Sequence, residues 1–399
     1  MNALYAKAVY GQPEIDAVTR VLHEQPLALM NGPSVAAFEA AIAATFGKAY
    51  GAMTNSGSSA NTLAVEALLL EPGSEVITPA LTFSTTVAPL VRNGLVPVFV
   101  DVEEGTYNID ASAIEEAITP QVRAVMVPNL IGNLPDWKAI RDLCDNYDLI
   151  AIEDSCDTLG ATIDGRPTGR LSDISTTSFY ASHIITAAGF GGMVTTDSRE
   201  MYEQMLLRRG WGRASTLTAE SEQAQDRFEV EVDGIEYDAK FEFAEIGHNF
   251  LPSELSAAFG LVQLESLDVF ARRRHENFAS LRALFGEFEE WFVLPAQHPT
   301  VQTAWLAFPL TIRDDAPFTR RDLQIHFETA GIQTRVVFTG NILRQSGFRS
   351  IQHRRASERF AEADRVMRGG ILIGAHHGMG EPELDHIRSA FRSFVESVE

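Results

Sequence analysis

Between Gly51 and Asp197, short β-branched runs alternate with longer amphipathic stretches, and nothing else in the 399-residue chain constrains its fold as tightly. Seven runs read as strands: Ala52–Asn55, Glu75–Thr78, Pro97–Asp101, Ala124–Pro128, Leu149–Glu153, Ile174–Phe179 and Gly192–Thr196. Among the stretches between them, Ser59–Leu70, Ser112–Ile118 and Trp137–Asn146 repeat their apolar residues at helical spacing. Strands that alternate with helices predict a mostly parallel sheet buried between two helical layers. Ligands of such sheets collect beyond the carboxyl ends of the strands.

The remainder divides around this core. Two helices are predicted ahead of it, Glu14–Glu24 and Ser34–Phe46. Behind it comes one long helical pattern from Ser253 to about Phe285, then strands at Ala304–Ile312 and Gln333–Phe338. Helices at Arg320–Ala330, Glu358–Arg368 and Pro382–Val398 complete it. Regular alternation is lost there, which predicts a large α/β domain over residues 1–250 and a smaller α+β domain over 251–399. The length suits two domains.

Charge and cysteine content exclude several function classes. A net charge of −22 opposes binding to nucleic acid or to anionic membrane surfaces, both of which need clustered Lys and Arg. Ten acids between Ala214 and Glu245 face only Arg227 and Lys240, the composition of a solvated surface insertion. No apolar run reaches the roughly 18 residues of a membrane helix, and the expectation is a cytoplasmic protein. Two cysteines, Cys144 and Cys156, exclude a disulfide framework and a four-thiolate iron–sulfur cluster within one chain. No spacing of zinc ligands is present, so no metal site is expected.

Three segments carry chemistry at predicted strand ends. Asn55-Ser-Gly-Ser-Ser59 follows a strand and opens a helix, where exposed backbone N–H groups and the positive dipole end suit a phosphate; serine capping of the helix explains the same residues. Asp154 ends the apolar run Leu149–Ile152, placed to meet a ligand or to cap the next helix. Phe83 sits just past another strand, where a ring stacks on a flat ligand or joins the core. His183, in Ser178-Phe-Tyr-Ala-Ser-His-Ile-Ile-Thr186, reads on its own as a loop or core histidine. The pair His376-His377 reads as a loop before the last helix, and Arg208, Arg209 and Arg213 read equally as surface cations or as contacts to a diphosphate.

Together these segments resemble the sugar aminotransferase (DegT/StrS) family of fold-type I pyridoxal phosphate enzymes. The likeness runs from Asn55-Ser-Gly-Ser-Ser59 through Glu153-Asp154 and Ser178-Phe179 to Gly247-His-Asn-Phe-Leu-Pro-Ser-Glu254. His183 stands where that family carries its cofactor-binding lysine, and Lys7, Lys48, Lys138 and Lys240 are the only lysines of the chain. Ser-Phe-Tyr-x-x-His-x-Ile-Thr and Gly340-Asn-Ile-Leu-Arg-Gln345 are similar to the family's nucleotide-sugar 3-dehydratase branch. The resemblance implies a mostly parallel seven-stranded sheet, with pyridoxamine or pyridoxal 5′-phosphate bound non-covalently. It assigns Gly57, Ser58 and Ser178 to the phosphate, Asp154 to the pyridine nitrogen, Asp157 to the ring hydroxyl and Phe83 to stacking. Asn249 matches an asparagine that reaches the neighbouring subunit's phosphate, which implies a homodimer with shared sites.

For the reaction, the resemblance implies loss of the C3 hydroxyl from a nucleotide-linked 4-keto-6-deoxy sugar, as in 3,6-dideoxysugar and lipopolysaccharide synthesis. His183 would be the acid–base residue, since imidazole exchanges protons near neutrality and forms no imine. Glutamate would restore the cofactor amine, and no iron–sulfur cluster would take part. Two departures bear on the substrate side: Asp157 is shorter than the usual Gln or Glu, and Ala187–Gly192 is one residue longer than the family's loop and lacks its glutamate. The residues leave open another keto substrate for the same cofactor, or a silent relative that binds a sugar nucleotide or serves regulation.

Overall fold

The computed structural model describes residues 1–24, 29–217 and 227–398. All seven predicted strands lie in one sheet, in the order Tyr50–Thr54, Gly192–Thr196, Ile174–Ser178, Ile150–Ser155, Val122–Pro128, Glu75–Pro79 and Val96–Val100. Gly192–Thr196 runs antiparallel to both neighbours and the remaining pairs are parallel. A loop rather than a long crossover helix joins Ile174–Ser178 to Gly192–Thr196, so the chain returns beside itself in the opposite sense. Val96–Val100 is buried at every position, as expected of a strand covered on both faces. The sheet has an eighth strand that was not expected: Arg354–Arg355 pairs in parallel with Val98 and Phe99.

The helix Gly57–Glu66 opens directly after the first strand, with Ser56 as N-cap accepting the Ser59 N–H. Gln12–Glu24 and Pro33–Phe46 pack on Glu254–Glu265. Glu254 is fully buried, yet its carboxylate accepts the Gly32, Ser34 and Val35 N–H groups at 2.7, 3.0 and 2.8 Å. It satisfies the start of Pro33–Phe46, where a negative charge is also favoured by the helix dipole.

The long helical pattern after Ser253 is two helices, Glu254–Glu265 and Leu267–Gly286, divided at Ser266. Neither glycine nor proline marks the division, so the pattern runs through a break that only their different packing partners reveal. The C-terminal half holds a second, antiparallel sheet in the order Phe292–Val293, Ala307–Ile312, Gly370–Gly374 and Thr334–Arg335. Gly370–Gly374 was not expected, and Thr334–Arg335 is shorter than the expected Gln333–Phe338. In the acidic stretch, Val230–Val232 and Ile235–Tyr237 form a hairpin, while residues 218–226 lie outside the described residues. Among the described residues, no helix is long and apolar enough to cross a membrane.

Candidate active site

A cavity of about 420 Å³ opens beyond the carboxyl ends of the parallel strands. Gly57, Ser58, Phe83, Asp154, Asp157, Ser178 and His183 all line it. Residues separated by more than a hundred positions meet here because successive parallel strands end at one edge of the sheet.

The start of helix Gly57–Glu66 forms one wall. A Cβ on Gly57 would come within 2.7 Å of both Cys156 Sγ and Ser178 Cβ, so only glycine allows this turn to close on the strand end at Ser178. Ser178 is itself buried, and Ser58 is exposed at the mouth. The first turn of a helix, two serines and an absent side chain form a cradle suited to a phosphate.

Deeper in, Asp154 is 5% exposed and its Oδ2 accepts from Asn61 Nδ2 and Thr86 Oγ1, both at 2.8 Å. Its Oδ1 accepts the Cys156 N–H at 3.2 Å. Asn61 is oriented in turn by Thr176, whose hydroxyl donates to Asn61 Oδ1 at 2.6 Å. Among the described residues no cation pairs with Asp154. A buried carboxylate held by neutral donors and facing a cavity is suited to a protonated ring nitrogen.

Asp157 Oδ2 accepts the Ile131 N–H at 3.0 Å. Burial, eased by that bond and reinforced by Asp154, pushes its carboxyl up to about 7. Phe83 is half exposed at the rim and meets Phe338 edge-on, with ring centroids 5.9 Å apart.

His183 occupies the loop between Ile174–Ser178 and Gly192–Thr196. Its N–H donates to Tyr180 O, and its ring stands edge-on to Tyr180 with centroids 5.8 Å apart. Nδ1 is buried without a hydrogen-bond partner. Burial pushes the imidazole down to about 4, opposed by the Ser178 backbone and reinforced by Arg274. The ring is therefore neutral at physiological pH and able to accept a proton. In the longer loop, Ala188, Gly189 and Gly191 adopt positive φ, and Phe190 reaches the cavity rim.

None of the four lysines lines the cavity. Lys48 donates to Ser172 O and Asp197, and Lys138 pairs with Asp164. The cradle at Gly57, the cation-free carboxylate of Asp154 and the unpartnered His183 nitrogen together fit a phosphorylated pyridine held without a covalent bond.

Asn249 is exposed and lies outside its own chain's cavity, its carbonyl accepting from Asn55 Nδ2 at 3.4 Å. The three arginines are not at the cavity either. Arg208 pairs with Glu245, Arg209 with Glu39 at 2.6 Å, and Arg213 lies 4.6 Å from the Trp211 ring centroid. His376 Nε2 donates to Leu4 O at 3.1 Å, and His377 stacks on Phe270 at 3.9 Å. Among the described residues no cluster that could hold a metal is found. Tyr5, Leu306 and Phe338 were missed; they also line the cavity, and they come from segments outside the large sheet. They lie in segments with no motif, and only the tertiary packing brings them there.

Comparison with known proteins adds an independent line. The model of the DegT/DnrJ/EryC1/StrS aminotransferase family matches residues 10–392. The lipopolysaccharide biosynthesis protein RfbH of Salmonella typhimurium is 37% identical over 369 residues, 90% of this chain and 84% of that protein. The dTDP-4-dehydro-2,6-dideoxy-D-glucose 3-dehydratase of Saccharopolyspora spinosa is 35% identical over 393 residues, 96% of this chain and 84% of that protein. A crystal structure of GDP-4-keto-6-deoxymannose-3-dehydratase with a trapped PLP-glutamate geminal diamine superimposes with a TM-score of 0.88 at 29% identity, covering 98% of this chain and 100% of that one.

Proposed function

This chain belongs to the DegT/DnrJ/EryC1/StrS aminotransferase family, and we propose that it removes the C3 hydroxyl of a nucleotide-linked 4-keto-6-deoxyhexose with a non-covalently held vitamin B6 cofactor. One observation carries the reading: His183 faces a cavity lined by Gly57, Ser178 and Asp154 and by no lysine among the described residues. The 3-dehydratase names of its relatives support it.

When bound, pyridoxamine phosphate supplies an amine for the sugar's C4 ketone and a ring that draws electrons. Gly57, Ser58 and Ser178 would hold the phosphate, and Phe83 would stack on the ring. Asp154 would keep the ring nitrogen protonated, and Asp157, its carboxyl pushed up to about 7, would meet the ring hydroxyl. His183, neutral before the reaction, would take the proton released as electrons move toward the sugar and deliver it to the C3 oxygen as the C3–O bond breaks, so that water leaves. A histidine can serve both transfers because it forms no imine. Glutamate would serve as the amino donor that keeps the group in its amine form. The sheet and helices of residues 1–250 would form the cofactor side, and residues 251–399, with Tyr5 from the N-terminal segment, would close the substrate side. Asn249, exposed and bridged to Gly210, would complete the phosphate site of a second copy in a homodimer.

The test is to incubate the protein, pyridoxamine phosphate and glutamate with GDP-, CDP- and dTDP-linked 4-keto-6-deoxyhexoses. Mass spectrometry then follows the sugar. Conversion of one of them to its 3-deoxy-4-keto form is expected; no turnover of any of them contradicts the proposal.

A further inference from the structure

Arg274, in the middle of helix Leu267–Gly286, is 1% exposed, and no carboxylate pairs with it among the described residues. Its Nη1 donates to Trp305 O at 3.2 Å and Leu306 O at 2.9 Å, and its Nη2 donates to His183 O at 3.3 Å. Its Nε has no partner. Burying a guanidinium without a counter-ion is costly, and a hydrocarbon side chain would fill the same space without that cost. Packing alone is therefore a poor account of an arginine here.

The carbonyls that Arg274 holds lead to both sides of the cavity. Leu306, which lines it, donates its N–H to Ile131 O at 2.8 Å. Ile131 in turn donates its N–H to Asp157 at 3.0 Å. Ile131 is fully buried with φ 61°, a left-handed conformation that β-branched residues rarely adopt and that persists only where the surroundings fix it. A Cβ on the next residue, Gly132, would lie 2.8 Å from Leu306 N and 3.1 Å from Trp305 Cα, so the two segments touch backbone to backbone.

We infer that Arg274 is the positioning residue of this site: it clips the His183 carbonyl to Trp305–Leu306 and so fixes the imidazole relative to Asp157 through Leu306 and Ile131. Its second effect is electrostatic. The titratable groups lining the cavity with His183 are Tyr5, Asp154, Cys156, Asp157 and Tyr180. Arg274 is the cation that acts on His183, and its charge disfavours the imidazolium. On its other side it acts in the same sense on His376 and His377. Burial lowers Arg274 itself to about 10, so it remains charged at neutral pH.

The inference rests on the acid–base role proposed for His183, but part of its test needs neither substrate nor turnover. Carbon-13 labelling of the histidine ring carbons allows the His183 signal to be assigned against His183→Asn and titrated by NMR in the full chain. Arg274→Met should raise the His183 midpoint by about one pH unit, as expected when a nearby like charge is removed. Its kcat for dehydration should fall roughly a hundredfold through misplacement of the ring. Arg274→Lys retains the charge and loses the fork, so its midpoint should stay in place while kcat falls roughly tenfold. A folded Arg274→Met with unchanged midpoint and kcat overturns the inference. If Arg274→Met fails to fold, Arg274→Lys decides: wild-type kcat, or a midpoint that rises, overturns it. Absence of dehydration by the wild type would count against the proposed function and leave the NMR result standing.

Discussion

The two sides of the cavity are built by different rules. The sheet side is a series of local events, each a strand that ends and a side chain or helix start that follows it: Gly57 after Tyr50–Thr54, Asp154 near the end of Ile150–Ser155, Ser178 at the end of Ile174–Ser178. The opposite side is assembled from afar. Tyr5 comes from the N-terminus, Leu306 from a segment before Ala307–Ile312, and Phe338 from beyond Thr334–Arg335. On the proposed function, cofactor affinity would be encoded at strand ends, while the substrate boundary would depend on segments brought in from both ends of the chain. His183 stands where the two sides meet, its ring in the cavity and its carbonyl held by Arg274.

Each side has a mutation that should leave the other untouched, and the boundary between them should be the most sensitive. His183→Asn should lower dehydration about a thousandfold in single turnover while cofactor absorbance still saturates normally. Loss of cofactor binding in that variant would move His183 to the sheet side. Gly57→Ala forces a methyl group toward Cys156 and Ser178. Its cofactor Kd, measured by fluorescence titration, should rise about tenfold or more, a change of about 1.4 kcal/mol or more. At saturating cofactor its sugar KM should be that of the wild type. Phe338→Ala should do the reverse, raising sugar KM several-fold with cofactor Kd unchanged, the pattern of a lost ground-state contact.

The smallest effect concerns stability of the C-terminal half. His376 is 3% exposed, and burial, reinforced by Arg274, pushes it down to about 4 from an ordinary value of about 6.5. The unfolded chain binds this proton first, so the contribution of neutral His376 is complete above about pH 6.5 and is lost as pH falls toward 4. By pH 5 the loss is on the order of 1–2 kcal/mol. Tm followed from pH 7 to pH 5 should fall less in His376→Gln than in the wild type, and parallel curves would contradict this.

The same contrast explains what could be read before folding. Seven of the eight strands of the main sheet were legible, because alternation with helices is a local signal that survives in sequence. Gly57, Asp154, Ser178 and His183 were legible because strand ends and a familiar motif mark them. Gly370–Gly374 was passed over: the short run Ile371-Leu-Ile373 follows a helix directly, with no turn residue to separate it except glycine. The division at Ser266 left no trace in the sequence, because neither glycine nor proline marks it. Arg274 and Ile131 were invisible for a further reason. One is an arginine among the neighbouring arginines of a helix, the other an isoleucine in an unusual conformation, and their importance lies in backbone carbonyls and N–H groups that sequence does not label.

The central claim is that the cofactor is held in this cavity by non-covalent contacts alone, with His183 in lysine's place. Borohydride reduction of the protein loaded with pyridoxal phosphate, followed by denaturation and peptide mapping, tests it directly. All cofactor should separate from the chain, and Lys7, Lys48, Lys138 and Lys240 should be recovered unmodified. A reduced phosphopyridoxyl adduct on one of those lysines, formed in proportion to bound cofactor, would contradict it.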